Sequence, residues 1–425
     1  MTVRASTLLG LFVFAIAATV WVPLSIPIAG LNLRLSQAAL PIVLVALLVI
    51  RPVHRVSGWS VIVFAAAVWW WSQLALWTLI AGPTYGHPGG RVLLMALNLI
   101  QGLAAYVLVM RTQDLRIALT SLLVSVTFFN WMLVGVSALH AAGMPVPGGW
   151  LAEETAPMYV DGQLVSGTIQ RFVFGGVLAG CVSAAAAVAA FCLQFDPVWR
   201  GRRWLMVAGL SAVVGMLVGF SRQSIVSLAI GVAVTLPFIV RRQHLGPLIR
   251  LAGVAVLSAG VAVGLLMLSS TGRDFVLAFA GRAVQLVDRD AYATGTVGER
   301  AIIWSAMWRD VAENPFLGHG QDAYIQYMPL GEGSHNFPLE VMHSSGLFGF
   351  LGYVALHVVP PLLALALLMR GRLPDDVRVP LIATFGFWAA IVSASLTNLI
   401  YWNPLYWLAI ALLFAAVRLT ERRQS

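Results

Sequence analysis

The stretch Gly331–Tyr353, GEGSHNFPLEVMHSSGLFGFLGY, opens as a polar, glycine-rich loop and becomes bilayer-grade apolar sequence within a few residues. A His-Asn pair, His335 and Asn336, stands at the switch. The whole chain is 60% hydrophobic and only 10% charged, which excludes an ordinary soluble domain and makes the apolar run a membrane span. Outward from it, runs of about 17–25 apolar residues mark further spans. Twelve are predicted, at 7–23, 35–50, 57–81, 91–110, 115–140, 168–194, 204–220, 223–240, 250–269, 344–369, 379–397 and 403–418. The second is short. The seventh and eighth flank GFSRQS (Gly219–Ser224), which reads either as a connection or as a break in one long helix. The expected fold is an all-α polytopic membrane protein, one integral membrane domain over residues 1–425.

Charge placement supports that count. Every basic side chain among the 26 Lys and Arg is arginine. Arg4, Arg51, Arg55, Arg111, Arg116, Arg200, Arg202, Arg203, Arg241, Arg242, Arg250, Arg370, Arg372, Arg378, Arg418, Arg422 and Arg423 all fall on one side of the predicted alternation. That side is cytoplasmic by the positive-inside rule, with both termini inside. The net charge of +9 is then a topology signal and implies no nucleic-acid partner. The first span, preceded by Arg4, has the layout of a signal peptide, but its removal would break the alternation, so a retained anchor is expected. Cys181 and Cys192 both lie inside the sixth span and suggest neither a disulfide nor a metal site.

Two connections are long, 141–167 and 270–343, and both fall on the outer side. The second has the most polar composition in the chain, and loops of that length in compact proteins are mostly functional or disordered. Within it, GERAIIWSAMWRDVAENPFLGHG (Gly298–Gly320) reads as a helix halted at Asn314-Pro315. At 100° per residue, Arg300, Trp304, Met307, Trp308 and Val311 share one face. Arg309 points the other way, within reach of Glu313 at i,i+4. A cation on an apolar face needs an anion. For Arg300 that anion is either a local acid, Glu299 or Asp322, or a substrate phosphate, and spacing leaves both open.

Three more outer-side features stand out. Arg171 in TIQRFVFGG is placed at the outer end of the sixth span, where interfacial snorkelling also accounts for it. Arg222 sits in a polar knot with Ser221, Gln223 and Ser224, between two apolar runs. Arginines at such positions are functional candidates, and the guanidinium fork matches phosphate oxygens. His335, beside Asn336 and five residues before Glu340, titrates near neutrality in its unperturbed form and can accept a hydroxyl proton. His319, in a turn, and His343 and His357, at or in a span, are weaker candidates. The sequence has no Walker loop, no HExxH and no Cys/His metal spacing. The acidic pairs Glu153-Glu154 and Asp288/Asp290 are poor metal candidates. No metal or cofactor is expected.

Taken in order, VGERAIIWSAMWRDVAENPFLGHG, a variable spacer and SHNFPLEVMHSSGLFGFLGY resemble the hallmark region of the O-antigen ligase and O-antigen polymerase superfamily. The likeness consists of an Arg-x3-Trp helix, a Pro-x-x-Gly-x-Gly turn, His-Asn-x-x-Leu-Glu and a Gly-x-x-Gly span. SRQS is similar to the Ser-Arg motif of the same proteins, and His319 inside the Gly-x-Gly turn is a departure. The resemblance implies a GT-C-like membrane glycosyltransferase of the bacterial inner membrane, working at the periplasmic face without a metal and with inversion. It implies an undecaprenyl diphosphate-linked glycan donor, and as acceptor either the lipid A-core (a ligase) or a carrier-linked glycan (a polymerase). Carried over, Arg222 and Arg300 bind the leaving diphosphate, Arg171 assists, and His335 activates the acceptor hydroxyl. Ser221, Trp304, Asn336 and Glu340 complete the substrate-binding set. A lipid-linked glycan flippase is the competing class. It would place polar groups through the bilayer midplane, whereas these spans read as clean at mid-depth. The helix-face reading predicts that Arg300→Ala slows glycan transfer about a hundredfold while Arg309→Ala is nearly silent. Similar losses from both, in a transfer assay, would contradict it.

Overall fold

A computed structural model describes residues 5–21, 25–28, 31–49, 58–81, 88–141, 151–160, 163–172, 176–199, 202–218, 222–239, 296–321, 323–327, 335–370, 373–396 and 403–424, with isolated positions between 253 and 281. Helices α1 (Ala5–Ala18), α2 (Leu35–Ala38), α3 (Leu40–Val49), α4 (Gly58–Ala81), α5 (Pro88–Thr112) and α6 (Leu115–Ala141) come first. They are followed by α7 (Gly176–Leu193), α8 (Arg203–Val218), α9 (Arg222–Ile239) and α10 (Thr296–Glu313). Last come α11 (Phe337–Met369), α12 (Asp375–Ser395) and α13 (Pro404–Gln424). Among the described residues, six helices are long and apolar enough to cross a bilayer, and five shorter apolar helices stand where other spans were predicted. The protein is an all-α polytopic membrane protein. Helices stand in order at eleven of the twelve predicted spans, and the ninth, 250–269, lies outside the described residues apart from isolated positions.

One end of the bundle is tied by arginines. Arg116, at the start of α6, holds Asp196, just past α7, at 3.1 Å and donates to the Asp376 carbonyl of α12 at 2.7 Å. Arg423 at the end of α13 reaches Asp376 at 3.3 Å, and Arg378 of α12 donates to the Phe238 carbonyl at the end of α9. The ends of α7, α9 and α13 and the starts of α6 and α12 therefore meet there. The turn at Asp196–Arg202 brings the start of α8 to the same place. Since α8 leaves this end and α9 returns to it, the two are separate antiparallel helices, which decides the open question over GFSRQS.

The opposite end gathers the starts of α9, α11 and α13. Gln223 of α9 donates to the Ser393 carbonyl near the end of α12 at 2.8 Å. The rings of Phe337 (α11) and Tyr406 (α13) lie 5.8 Å apart. Trp70 of α4 packs on Phe337, Tyr353 and Trp407, in an aromatic core that wedges α4, α11 and α13 together. Such ring pairs add about 0.5–1.5 kcal/mol each beyond the area they bury.

Some polar groups inside the bundle satisfy one another. Asn130 of α6 donates to Ser183 of α7 at 3.1 Å and to the Ser211 carbonyl of α8 at 3.0 Å, a link across three helices. His357 is bound by the Tyr353 carbonyl at 2.7 Å and by the Tyr406 hydroxyl. The spans are thus not clean at mid-depth, contrary to the expectation from sequence. Not all of their polar groups are paired: both amide atoms of Gln101 in α5 are buried without a hydrogen-bond partner among the described residues.

Two further expectations are corrected. The connection predicted at 141–167 contains an antiparallel hairpin, β3 (Leu151–Val160) paired with β4 (Gln163–Phe172). The sixth span starts at Gly176, not 168, so Arg171 lies on β4 opposite Ala152 and not on a helix. A shorter hairpin pairs β1 (Ser25–Ile28) with β2 (Leu31–Arg34).

The Asp196 side chain is fully buried, so removing its partner leaves an uncompensated charge. Arg116→Ala is expected to cost about 3 kcal/mol, seen as a lower thermal midpoint in detergent. An unchanged midpoint would show that this tie is dispensable.

Candidate functional site

The site is built around a break in α11. At Gly346 the backbone leaves the helix (φ 65°, ψ 180°), separating a first segment, 337–345, from the long apolar run that follows. A break of this kind strands backbone groups. Each is repaired by the turn that follows α10. The His343 carbonyl accepts from His319 N at 2.9 Å, the Ser344 carbonyl from Gly320 N at 3.0 Å, and Leu347 N donates to the Pro315 carbonyl at 2.8 Å. Gly346 must be glycine twice over. Its φ is left-handed, and a Cβ there would collide with the Phe316 carbonyl oxygen. Gly320 (φ 84°) lets the turn reverse against Trp77 and Thr78 of α4, and the Thr78 hydroxyl receives Gln321 N at 2.9 Å. The Pro-x-x-Gly-x-Gly turn and the Gly-x-x-Gly span are thus two halves of one clamp.

The clamp fixes α10 on α11. Ile303 and Met307 of α10 pack with Leu339 of α11 in a small cluster, joined by part-buried Trp304, Ile325 and Tyr327. One turn further along α10, Asp310 meets His343, one turn further along α11, at 3.0 Å. The two helices therefore run side by side in the same direction. Arg300 lies one turn before Ile303, and His335 about one turn before Leu339, so at about 1.5 Å per residue they are level. Arg300 and Trp304 are part-buried and Arg309 is exposed, as the periodicity predicted. Trp308 departs from the prediction, at 57% exposure, and Arg309 forms no ion pair with Glu313 among the described residues.

His335 carries a left-handed backbone (φ 49°), unusual for a residue with a side chain and costing about 1–2 kcal/mol. Asn336, next to it, is the N-cap of α11, and its Oδ1 accepts from Leu339 N at 3.3 Å. The cap ends the loop and begins the helix at one residue, which holds His335 at the mouth of the span. Glu340 is 1% exposed in the first turn, where the helix N-terminus favours a carboxylate. Arg222 is the first residue of α9 and so lies at the same end of the bundle as His335. Arg171, on β4, precedes the start of α7 at that end. Ser221 lies outside the described residues, as do Asp288 and Asp290.

A second set of groups converges where sequence gave no sign of it. Asp310 accepts at Oδ2 from the Tyr327 hydroxyl and from His343 Nε2. The His319 ring stacks on that of His343, with centroids 4.5 Å apart and planes 10° apart, and its Nδ1 lies 3.2 Å from the His343 carbonyl. Partial burial acts to raise the Asp310 pKa, but the bonds from Tyr327 and His343 outweigh it and hold the carboxyl below its usual value. Asp310 is thus a carboxylate at neutral pH. His319 and His343 were noted in the sequence as lesser histidines. Asp310 and Tyr327 had no signal beyond their side of the helix and loop.

Residues 207–354 match a family model described as O-antigen ligase. Over that segment, about a third of the chain, the protein is similar to O-antigen ligases. The matched segment runs from α8 through the clamp and contains Arg222, Arg300 and His335, while Arg171 lies outside it. No curated protein matches the chain. Its apolar helices make it a multi-pass membrane protein, and the likeness to a membrane glycosyltransferase-like family is confined to the matched segment.

Gly346→Ala is expected to lower the thermal midpoint through a strain of at least about 1–2 kcal/mol. Gly135→Ala, at an open helical position in α6, is the control and should be neutral or slightly stabilising. Equal midpoints for the two variants would refute the clamp.

Proposed function

We propose that this protein is an O-antigen ligase-type glycosyltransferase. It passes a glycan from undecaprenyl diphosphate to the lipid A-core of lipopolysaccharide at the periplasmic face of the inner membrane. The observation that carries the reading is the shared register of α10 and α11, which sets the inward-facing Arg300 level with His335 at the end of the bundle where α9 begins with Arg222. In this reading the connection 270–343 is the periplasmic catalytic loop, and the arginine-tied end of the bundle is cytoplasmic, with both termini.

The chemistry follows from those groups. His335 takes the proton of an acceptor hydroxyl as its oxygen forms a bond to the anomeric carbon. The bond from that carbon to the diphosphate oxygen breaks on the opposite face, so configuration inverts. The electron pair leaves with the diphosphate, whose added negative charge is met by Arg222 and Arg300, with Arg171 assisting. Guanidinium groups fixed in a poorly hydrated cleft stabilise charge where it develops. Placing the base at the membrane mouth matches the headgroup depth of a lipid-anchored diphosphate. Both substrates are held in one membrane plane, so alignment and a base supply most of what remains.

The superfamily match favours equally a polymerase that joins carrier-linked repeat units through the same bond changes. Purified protein supplied with an undecaprenyl diphosphate-linked glycan, with and without lipid A-core, separates the two. Product only with lipid A-core is expected. A ladder formed without it makes the protein a polymerase. His335→Ala should reduce either product at least about a hundredfold, and undiminished transfer by that variant would remove His335 from the mechanism.

A further inference from the structure

We propose that Asp310 and His343 are positioning residues that set the register between α10 and α11 and so hold Arg300 opposite His335. The inference rests on the proposed function for its consequence and on the geometry alone for its cause. Asp310 lies ten residues beyond Arg300 on α10, about 15 Å along the axis. His343 lies eight residues beyond His335, about 12 Å. Neither touches the candidate base or the candidate diphosphate-binding arginine, yet their 3.0 Å bond is a polar cross-link between the helices that carry them. The apolar contact of Ile303 and Met307 with Leu339 is compatible with small slips along the axis, because side chains of that kind slide over one another at little cost. A hydrogen bond from a fully buried imidazole to a carboxylate is directional, and a slip would leave both groups desolvated and unpaired.

The surrounding bonds leave this pair one arrangement. Asp310 Oδ2 already accepts from the Tyr327 hydroxyl, which ties in the 3₁₀ turn Ala323–Tyr327. The bond to that oxygen requires the proton on His343 Nε2. His343 Nδ1 is buried without a hydrogen-bond partner, so the ring has no competing polar contact to rotate toward. His319 covers the ring face, and its own amide closes the clamp on the His343 carbonyl. One ring therefore joins α10, the turn and the broken segment of α11.

Asp310, His319 and His343 are also a possible cation-binding trio, with ligand atoms within 4.8 Å of one another. The geometry favours the hydrogen-bonded assignment. The two imidazoles are stacked nearly parallel, so their in-plane lone pairs do not converge on one point. The carboxylate oxygen nearest His343 is already taken by two donors.

Two measurements test the register. In the first, nitroxide labels on exposed Ile302→Cys (α10) and half-buried Met342→Cys (the segment of α11 before the break) report the distance between the two by pulsed electron resonance. Both native cysteines are buried. Asp310→Ala is expected to shift or broaden the distribution, and Asp310→Asn, which keeps an acceptor oxygen, to leave it narrow. An unchanged distribution in Asp310→Ala overturns the proposal, whatever the protein's activity. In the second, Arg300→Ala is introduced into wild type and into Asp310→Ala, and transfer is measured. Loss of register predicts a cost of about a hundredfold in wild type but only a few-fold in the variant, where Arg300 is already displaced. Costs that multiply would mean that Asp310 acts on stability alone. If Arg300→Ala costs nothing in wild type, the functional reading fails while the distance measurement still decides the register. Zinc that copurifies or binds stoichiometrically when added, and is lost in Asp310→Asn, would replace the hydrogen-bonded pair with a metal site.

Discussion

A helix entering a membrane cannot leave its backbone groups unpaired, and α11 is broken at its entrance. That constraint organises this protein. The break at Gly346 strands the carbonyls of His343 and Ser344 and the amide of Leu347 where little water is available to replace the lost bonds. The turn Pro315–Gly320 supplies all three partners. Because that turn is the continuation of α10, satisfying the backbone of the span also docks the outer helix against it. The docking is a requirement of the fold before it is a feature of any reaction.

The proposed function rests on what the docked helices carry. α10 brings Arg300 on its inward face, and α11 begins with the strained His335 and the capping Asn336. α9 brings Arg222 to the same end, since the arginine knot at the other end forces α8 and α9 to run in opposite directions. Charge is therefore distributed in two separate ways. At one end of the bundle Arg116, Arg378 and Arg423 act structurally, each bonded to a carboxylate or a carbonyl. At the other end lie the start of α9, with Arg222, and the paired segments that carry Arg300 and His335, which in the proposed reading meet an anionic lipid headgroup.

Much of this was legible in sequence because long apolar runs and a helical period are local signals. The spans, the inward face bearing Arg300 and the polar-to-apolar switch at His335 all depend on residues within a few turns of one another. The break at Gly346 was hidden because glycine and serine do not interrupt an apolar run. The meeting of Asp310, His319 and His343 was hidden because 24 to 33 residues separate His343 from its partners. The hairpin from Leu151 to Phe172 had a readable cue that went unused. Asp161-Gly162 lies between Val160 and Gln163, which pair across it, and Asp-Gly between alternating residues is a strong hairpin signal. Trp308 was misplaced because it lies at the margin of the helix face, where 100° steps alone do not decide burial.

The account stands or falls on whether the groups gathered at that end of the bundle meet one ligand. A cryo-electron microscopy structure of the protein with undecaprenyl diphosphate in nanodiscs tests this most directly. The account predicts the diphosphate between the start of α9 and the inward face of α10, in contact with Arg222 and Arg300, with His335 facing the departing oxygen. A diphosphate bound at the arginine-tied end, or one that leaves Arg300 and His335 facing separate spaces, would contradict it.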